Sequence, residues 1–236
     1  MMNRKKYALV CVFVCALVLF ATWSVSRISG TIMVWYQGVP SATIVIDPGH
    51  GGEDGGTTDS DGHRESQINL EISLRLRDLL RLLGARTHMI REDDISVATE
   101  GSSIAARKVS DIHNRVRLTN ELPDPILISI HQNHFPEEKY RGAQVFYAQT
   151  EHSKGWAEKL QEILNTQVDP NNHRSAKAAE NVYLLKHIQC PAILVECGFL
   201  SNYEEALLLR DPSYQKKLAA AIACSITSYA EEKNEV

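Results

Sequence analysis

The chain has few cysteines, and their number and spacing do not suit a framework of disulfide bonds. Cys11 and Cys15 fall in an apolar N-terminal segment, which leaves Cys190, Cys197 and Cys224 for the rest of the 236 residues. An odd number cannot pair completely, and Cys190 and Cys197 flank one predicted strand that holds them too far apart to bridge. We therefore expect a domain stabilised by its hydrophobic core, with these three thiols as small core or near-site residues.

Positive charge is also scarce. The chain carries 25 Lys and Arg residues against 29 Asp and Glu residues, a formal net charge of −4. Arg4, Lys5, Lys6 and Arg27 all precede residue 28, so the remainder keeps 21 basic against 29 acidic side chains, a net charge of −8. Because such a domain repels polyanions, the sequence predicts no nucleic-acid partner.

Charge is missing altogether from one long N-terminal stretch. Residues 7–26 contain no Asp, Glu, Lys or Arg, and a basic cluster precedes them at residues 4–6. About 20 apolar residues span a bilayer, and basic residues before them favour a cytoplasmic N-terminus. The alternative is a cleaved signal peptide, because the most apolar part, residues 8–21, is short, although no clear cleavage motif follows it. We expect residues 1–27 to be a membrane anchor or signal segment, residues 28–41 a connector, and the domain that follows to be exported.

Residues 42–230 alternate between apolar runs of strand length and segments of helical periodicity. Strands are predicted at residues 42–47, 86–91, 126–130, 143–148, 182–185 and 192–196, and helices at 66–83, 107–122, 153–168, 204–209 and 214–229. The polar residues 92–106 are typical of a mobile surface loop, and residues 169–180 of a second loop. This alternation predicts a single α/β domain with a mostly parallel central sheet flanked by helices.

Three apolar runs far apart in the chain each end on a residue that can bind a metal or move a proton. The runs lie in residues 44–50, 126–131 and 192–196. Strands of this composition are buried on both faces, and the ligand crevice of an open α/β sheet lies at the carboxyl ends of its strands. We therefore expect His50, His131 and Glu196 to meet at one edge of the sheet.

The two histidines indicate a metal site. A catalytic zinc ion has three protein ligands and one open position, and two histidines with one glutamate form an established set. His50 and His131 supply the histidines, since an unpaired imidazole among apolar strands would be costly. The third ligand is expected in the loop after the first strand or at the start of the next helix, although Glu65 is equally typical of an acid favoured by the helix dipole. Spacing alone leaves five candidates for it: Glu53, Asp54, His63, Glu65 and His134.

Glu196 is the candidate for acid–base chemistry. It ends an apolar strand directly before a turn at Cys197 and Gly198, which is the position expected of a base that takes a proton from water activated by the metal. The structural alternative is a salt bridge with Arg91 or Arg115.

Together the three segments resemble a known family. Residues 46–52 (IDPGHGG), 129–133 (SIHQN) and 195–202 (VECGFLSN) are similar to the signatures of the zinc-dependent N-acetylmuramoyl-L-alanine amidases of the Amidase_3 type. The resemblance covers residues 42–229, and the three motifs together are far more specific than the glycine-rich loop alone. It implies that His50, Glu65 and His131 are the Zn²⁺ ligands and that Glu196 is the catalytic glutamate.

The resemblance also implies a reaction, a substrate and a place of action. The reaction is hydrolysis of the amide between N-acetylmuramic acid and L-alanine in peptidoglycan, and we expect Asp47 to orient His50. An anchored domain without wall-binding repeats is similar to the germination-specific members, which prepare the spore cortex for muramic lactam formation. Some members carry an inhibitory helix, and we expect none in residues 149–181. Departures from the family pattern are Cys197, a long 92–106 loop, and Gln132 and His134 beside the zinc histidine.

Two other functions remain as alternatives. A zinc carboxypeptidase or deacetylase would use the same ligands on another bond of the cell wall. An anchored, non-catalytic wall-binding protein would be expected to lack one member of the zinc and base set, and this sequence retains all four. The sequence does not identify a regulatory protein partner.

Overall fold

The computed structural model describes residues 41–234. Six strands in this range form one sheet: β1 (Thr43–Pro48), β2 (Thr87–Met89), β3 (Pro125–Asn133), β4 (Gln144–Tyr147), β5 (Lys177–Ala178) and β6 (Ala192–Phe199). Their order across the sheet is β2-β1-β3-β6-β4-β5, and the β4–β6 pair alone among these neighbours is antiparallel. The predicted α/β fold with a mostly parallel central sheet is thereby confirmed.

The helices cover both faces of this sheet. They are α1 (Glu65–Leu82), α2 (Ile104–Asn120), α3 (Ser153–Ile163), α4 (Tyr183–His187), α5 (Tyr203–Arg210) and α6 (Pro212–Asn234), and a π-helical turn (Leu164–Val168) continues α3. On one face, Val45, Leu127 and Leu194 of the central strands share a hydrophobic cluster with Leu184 of α4, and Ile112 of α2 packs against it. Neighbouring strand residues point to the other face, and α1 packs against β1, β3 and α6.

One predicted strand is wrong. Residues 182–185 do not join the sheet, because Val182 caps the short helix α4, in which Leu184 and Leu185 are both buried. A four-residue apolar run has no periodicity that distinguishes a buried strand from a buried helical turn. The edge position beside β4 is taken instead by β5, which lies in the segment predicted as a loop. The other predicted elements are confirmed to within a few residues at each end.

The segment before α2 is irregular over residues 92–103, as predicted for a loop, and hydrogen bonds tie part of it to the helix. The helix begins three residues earlier than expected, with Ser103 as its cap. Its polar face then holds the preceding residues: Asp111 Oδ1 accepts hydrogen bonds from the Ser96 hydroxyl at 2.7 Å and from the backbone of Val97 at 2.8 Å. Local composition does not predict such contacts between residues that are distant in the sequence.

The predictions for the N-terminal segment lie outside the described residues. These are the membrane anchor or signal at residues 1–27 and nearly all of the connector at residues 28–41. Of the helices formed within residues 41–234, none has both the length and the apolar character needed to cross a bilayer. All three cysteines in this part of the chain are free thiols, and Cys224 is exposed rather than a core or near-site residue.

Candidate metal centre

Three neighbouring strands bring the predicted site residues to one edge of the sheet. His50 follows the end of β1, His131 lies in β3, and Glu196 lies in β6 directly opposite His131. Glu65 is the first residue of α1 and reaches the same edge from the helix. One expectation needs correction: Glu196 is not at the end of its strand, because β6 continues to Phe199.

Two histidines and a glutamate converge to the spacing that a metal ion requires. Glu65 Oε1 lies 3.3 Å from His50 Nε2 and 3.0 Å from His131 Nδ1, and one ligand atom of each residue lies within 4.8 Å of the others. Zinc–ligand bonds of about 2.0–2.2 Å in a tetrahedron place ligand atoms roughly 3.3–3.6 Å apart. The three side chains therefore fit a zinc ion in chemistry and in geometry.

Glu65 is held as a carboxylate by donors on several sides. Oε1 accepts hydrogen bonds from the Gln132 backbone at 3.1 Å and the Asn69 amide at 3.2 Å, and Oε2 accepts one from the Thr57 backbone at 3.0 Å. Burial opposes ionisation, but the adjacent histidines outweigh it and hold the pKa of Glu65 well below its usual range. The side chain is thus fixed in the form that binds a cation.

His50 is oriented by Asp54 and not by Asp47. Asp54 Oδ2 lies 2.8 Å from His50 Nδ1, which leaves Nε2 directed at Glu65. Desolvation lowers the pKa of His50, but hydrogen bonds to Asp54 and Glu65 outweigh it and raise that pKa to about 9. Asp54 Oδ1 also pairs with Lys108 Nζ at 2.7 Å. A carboxylate of this kind fixes the tautomer and the ring orientation of a metal-binding histidine.

Asp47 acts on the backbone around His50 through Arg115. The Arg115 guanidinium pairs with Asp47 Oδ1 and donates to the carbonyl oxygens of Pro48 at 2.8 Å and His50 at 2.7 Å. Ser129 donates to the other oxygen of Asp47 at 2.6 Å. This network surrounds a strained residue, since His50 has φ +60°, a left-handed conformation that is uncommon outside glycine.

Arg91 secures the same turn from a second direction. Its buried guanidinium donates to Pro48 O at 2.9 Å, Gly49 O at 2.9 Å and Ser66 O at 2.8 Å. The two arginines weighed as salt-bridge partners of Glu196 therefore direct their donors to other groups, and both hold the turn that carries His50.

Gly49 is required by close packing against the second histidine. A Cβ atom at this position would lie 2.2 Å from Cε1 of the His131 ring. No side chain fits in that distance, so the absence of one at Gly49 allows β1 and β3 to bring their histidines together.

Glu196 lies beside the metal-binding residues with a carboxylate oxygen, Oε2, that is buried and has no hydrogen-bond partner among residues 41–234. Burial raises its pKa to about 7, with the Glu65 carboxylate adding to the increase and His131 and His50 opposing it. The side chain lines a cleft of about 320 Å³ that also contains His50, His131, Lys108 and Tyr183. An acceptor near neutrality beside a metal-binding group is suited to proton transfer.

The other candidates for the third ligand have different partners or positions. Glu53 pairs with Arg107, Asp54 contacts the outer nitrogen of His50, and His134 is exposed. His63 belongs to a separate group with Asp59 and Asp61. Arg210 occupies that group, with Nη2 at 2.8 Å from Asp61 Oδ2. The role of Asp54 beside His50 was missed because sequence spacing does not say which carboxylate meets which ring nitrogen.

Comparison with known proteins places this site in a family. The germination-specific N-acetylmuramoyl-L-alanine amidase of Bacillus subtilis is 38% identical over 205 residues, which cover 85% of each chain. The N-acetylmuramoyl-L-alanine amidase LytC of Bacillus subtilis is 29% identical over 194 residues, covering 81% of this chain and 36% of LytC. The structure of the CwlD amidase from Clostridioides difficile, in complex with the GerS lipoprotein, superposes with a TM-score of 0.78 at 38% identity, covering 81% of this chain and 100% of that one. Residues 44–228 match the family described as N-acetylmuramoyl-L-alanine amidase, to which this chain therefore belongs.

Proposed function

We propose that this protein is a zinc-dependent hydrolase that cleaves the amide between N-acetylmuramic acid and L-alanine in peptidoglycan. One observation carries the proposal: a buried, unpartnered carboxylate oxygen of Glu196 lies in the same cleft as two histidines that converge on Glu65. Membership of the amidase family indicates which bond is cleaved.

His50 Nε2, Glu65 Oε1 and His131 Nδ1 are the atoms that would hold the zinc ion. A zinc ion bound there would supply Lewis acidity to the amide carbonyl and to a water molecule. The contribution of the chain is to keep the three donors fixed, through Asp54 behind His50 and three backbone or amide donors around Glu65.

Glu196 would transfer the proton. Its carboxylate accepts a proton from the attacking water and passes it to the nitrogen of L-alanine, which then leaves as a neutral amine. Two properties suit it to both steps: its pKa lies near 7, and no hydrogen bond within residues 41–234 engages Oε2. Because Glu196 is paired with His131 in the sheet, the base is held at a fixed distance from the metal-binding edge.

We also propose that the enzyme acts outside the cytoplasm on the spore cortex. The relative from Bacillus subtilis that matches 85% of this chain is named as germination-specific, which supports this narrower role. Residues 1–27 would direct or anchor the chain at the membrane, in keeping with the charge pattern of that segment. The complex of the CwlD amidase with a lipoprotein supports a protein partner of the same kind here.

The test is to identify the bond that is cut. Residues 28–236, loaded with zinc, are incubated with a defined muropeptide, and the products are identified by mass spectrometry. A free peptide beginning with L-alanine together with a peptide-free sugar supports the amidase. Loss of a C-terminal amino acid would show a carboxypeptidase, loss of acetate a deacetylase, and binding without turnover a wall-binding protein.

A further inference from the structure

Three aromatic side chains form a group at the carboxyl edge of the sheet, separate from the residues of the metal centre. Phe135 and Tyr140 belong to the loop between β3 and β4, with ring centroids 4.6 Å apart in an edge-to-face arrangement. Tyr140 also stacks against Phe199 of β6, at 6.5 Å between centroids. We call Phe135, Tyr140 and Phe199 the aromatic platform. Its two exposed side chains, Phe135 and Tyr140, are 43% and 37% exposed, and exposed apolar groups that cluster mark interaction sites.

A bulge in β6 places the platform on the same side of the sheet as the catalytic centre. Alternate residues of a strand point to opposite faces, so Glu196 and Phe199, three positions apart, would ordinarily point away from each other. However, His131 pairs with Glu196 whereas Asn133, two residues later, pairs with Phe199, so β6 contains one extra residue. The extra residue reverses the alternation, and Phe199 shares the face of His131 and Glu196.

The platform is fixed in place before any ligand binds. The buried carboxylate of Glu205 accepts hydrogen bonds from the backbone N–H groups of Phe199 and Gly142, both at 2.8 Å. The Ser201 hydroxyl oxygen accepts one from the backbone of Phe135 at 3.0 Å. Because the backbone on both sides of the platform is tied to the chain around α5, this backbone loses little conformational freedom on binding.

Hydrogen-bond donors surround the rings. The guanidinium carbon of Arg174 lies 4.8 Å from the centre of the Phe199 ring, and Nη1 is held by Gln144 at 3.3 Å. The ammonium group of Lys139 lies 5.3 Å from the centre of the Tyr140 ring. The surface therefore combines apolar ring faces with cationic donors at its margin.

We propose that the aromatic platform binds a sugar ring of the glycan strand, next to the muramic acid residue whose peptide is removed. The face of a pyranose presents C–H groups that pack on aromatic rings, while its hydroxyl and acetamido oxygens accept hydrogen bonds from donors such as Arg174 and Lys139. Phe135 follows His131 by four residues, so their Cα atoms are at most about 14 Å apart. A short span of glycan can therefore contact both the aromatic platform and the metal centre. This inference rests on the proposed peptidoglycan substrate.

A sugar fits this surface better than a protein partner does. A stable protein interface buries about 800 Å² on each side, whereas the exposed platform consists of parts of two rings. The cleft lined by Lys108 and Tyr183 on the α2 and α4 side of Glu196 is left for the peptide.

The test combines a binding experiment with a kinetic one. Phe135→Ala/Tyr140→Ala should weaken the binding of peptide-free glycan strands, measured by titration calorimetry. In assays, it should lower by about tenfold the ratio of kcat/KM for long strands to kcat/KM for a single N-acetylmuramoyl peptide, mainly through KM. Phe135→Tyr/Tyr140→Phe keeps both rings and should retain the binding. Leu82→Ala removes another exposed apolar side chain, at the end of α1, and should leave the ratio unchanged.

The outcomes separate this inference from the proposed function. The inference is overturned if the wild-type protein does not bind peptide-free strands, if the alanine variant binds them equally well, or if both substrates lose activity in equal proportion. An enzyme that binds strands through the platform but releases no peptide would instead contradict the amidase function and leave the glycan site standing.

Discussion

Asp54 Oδ2 lies 2.8 Å from Nδ1 of His50, on the side of the ring opposite Glu65. Asp54→Ala should therefore lower zinc affinity by about 10–100-fold, because the ring of His50 loses the carboxylate that orients it. Competition with a chromophoric chelator measures the affinity. Glu53→Ala is the matched control, since the neighbouring Glu53 pairs with Arg107 and not with a metal-binding residue. Equal affinity in the two variants would remove Asp54 from the site.

The assignment of ligands predicts which substitutions deplete the metal. His50→Ala, Glu65→Ala and His131→Ala should each lower the zinc content of the purified protein, because each removes one of three donors. His63→Ala and His134→Ala should retain full zinc content by atomic absorption. A Glu65→Ala protein with normal zinc would show that another residue completes the site.

Glu196→Gln should bind zinc normally and lose hydrolysis. The amide fills the same space but cannot accept a proton, and removal of a general base costs about 10²–10⁴ in rate. Release of peptide from a defined muropeptide, together with metal analysis, provides the check. Turnover close to wild type would rule out Glu196 as the base.

Glu196→Gln should also change how the stability of the metal-free protein depends on pH. Burial raises the pKa of Glu196 from 4.5 to about 7, so the folded state binds the proton more tightly than the unfolded state. Ionisation therefore costs stability as the pH rises through this range, and the neutral glutamine avoids the cost. Glu196→Gln should be more stable than wild type near pH 8, by up to about 3 kcal/mol, with the difference vanishing near pH 4. Urea unfolding in the presence of a chelator tests this, and equal curves at both pH values would contradict it.

The N-terminal charge pattern predicts the location of the domain. Basic residues before the apolar stretch of residues 7–26 should keep the N-terminus inside and Val236 outside. The full-length protein should remain with membranes, and protease added to spheroplasts should digest the domain. A soluble form that begins near Ser26 would favour a cleaved signal peptide, whereas protection of the whole domain would contradict export.

The meeting of His50, His131 and Glu196 could be predicted because the signal for each of their strands is local. Apolar runs identify β1, β3 and β6, and parallel strands present their carboxyl ends at one edge. The remaining features depend on contacts between distant residues. From the sequence we expect Asp47 to orient His50, and only the folded chain shows that Asp54 contacts His50 whereas Arg115 engages Asp47. The bulge after Glu196, which extends β6 to Phe199, depends in the same way on pairing with β3.

The distance of 2.2 Å between a Cβ at Gly49 and the His131 ring has a consequence for experiments that replace every residue in turn. Position 49 carries no functional group, yet even alanine there would push the imidazole of His131 away from Glu65. In a saturation screen for activity, Gly49 should be as intolerant of change as the ligands themselves. Sensitivity to mutation at this position would then arise because a side chain has no room beside the His131 ring, and not because Gly49 has a chemical role.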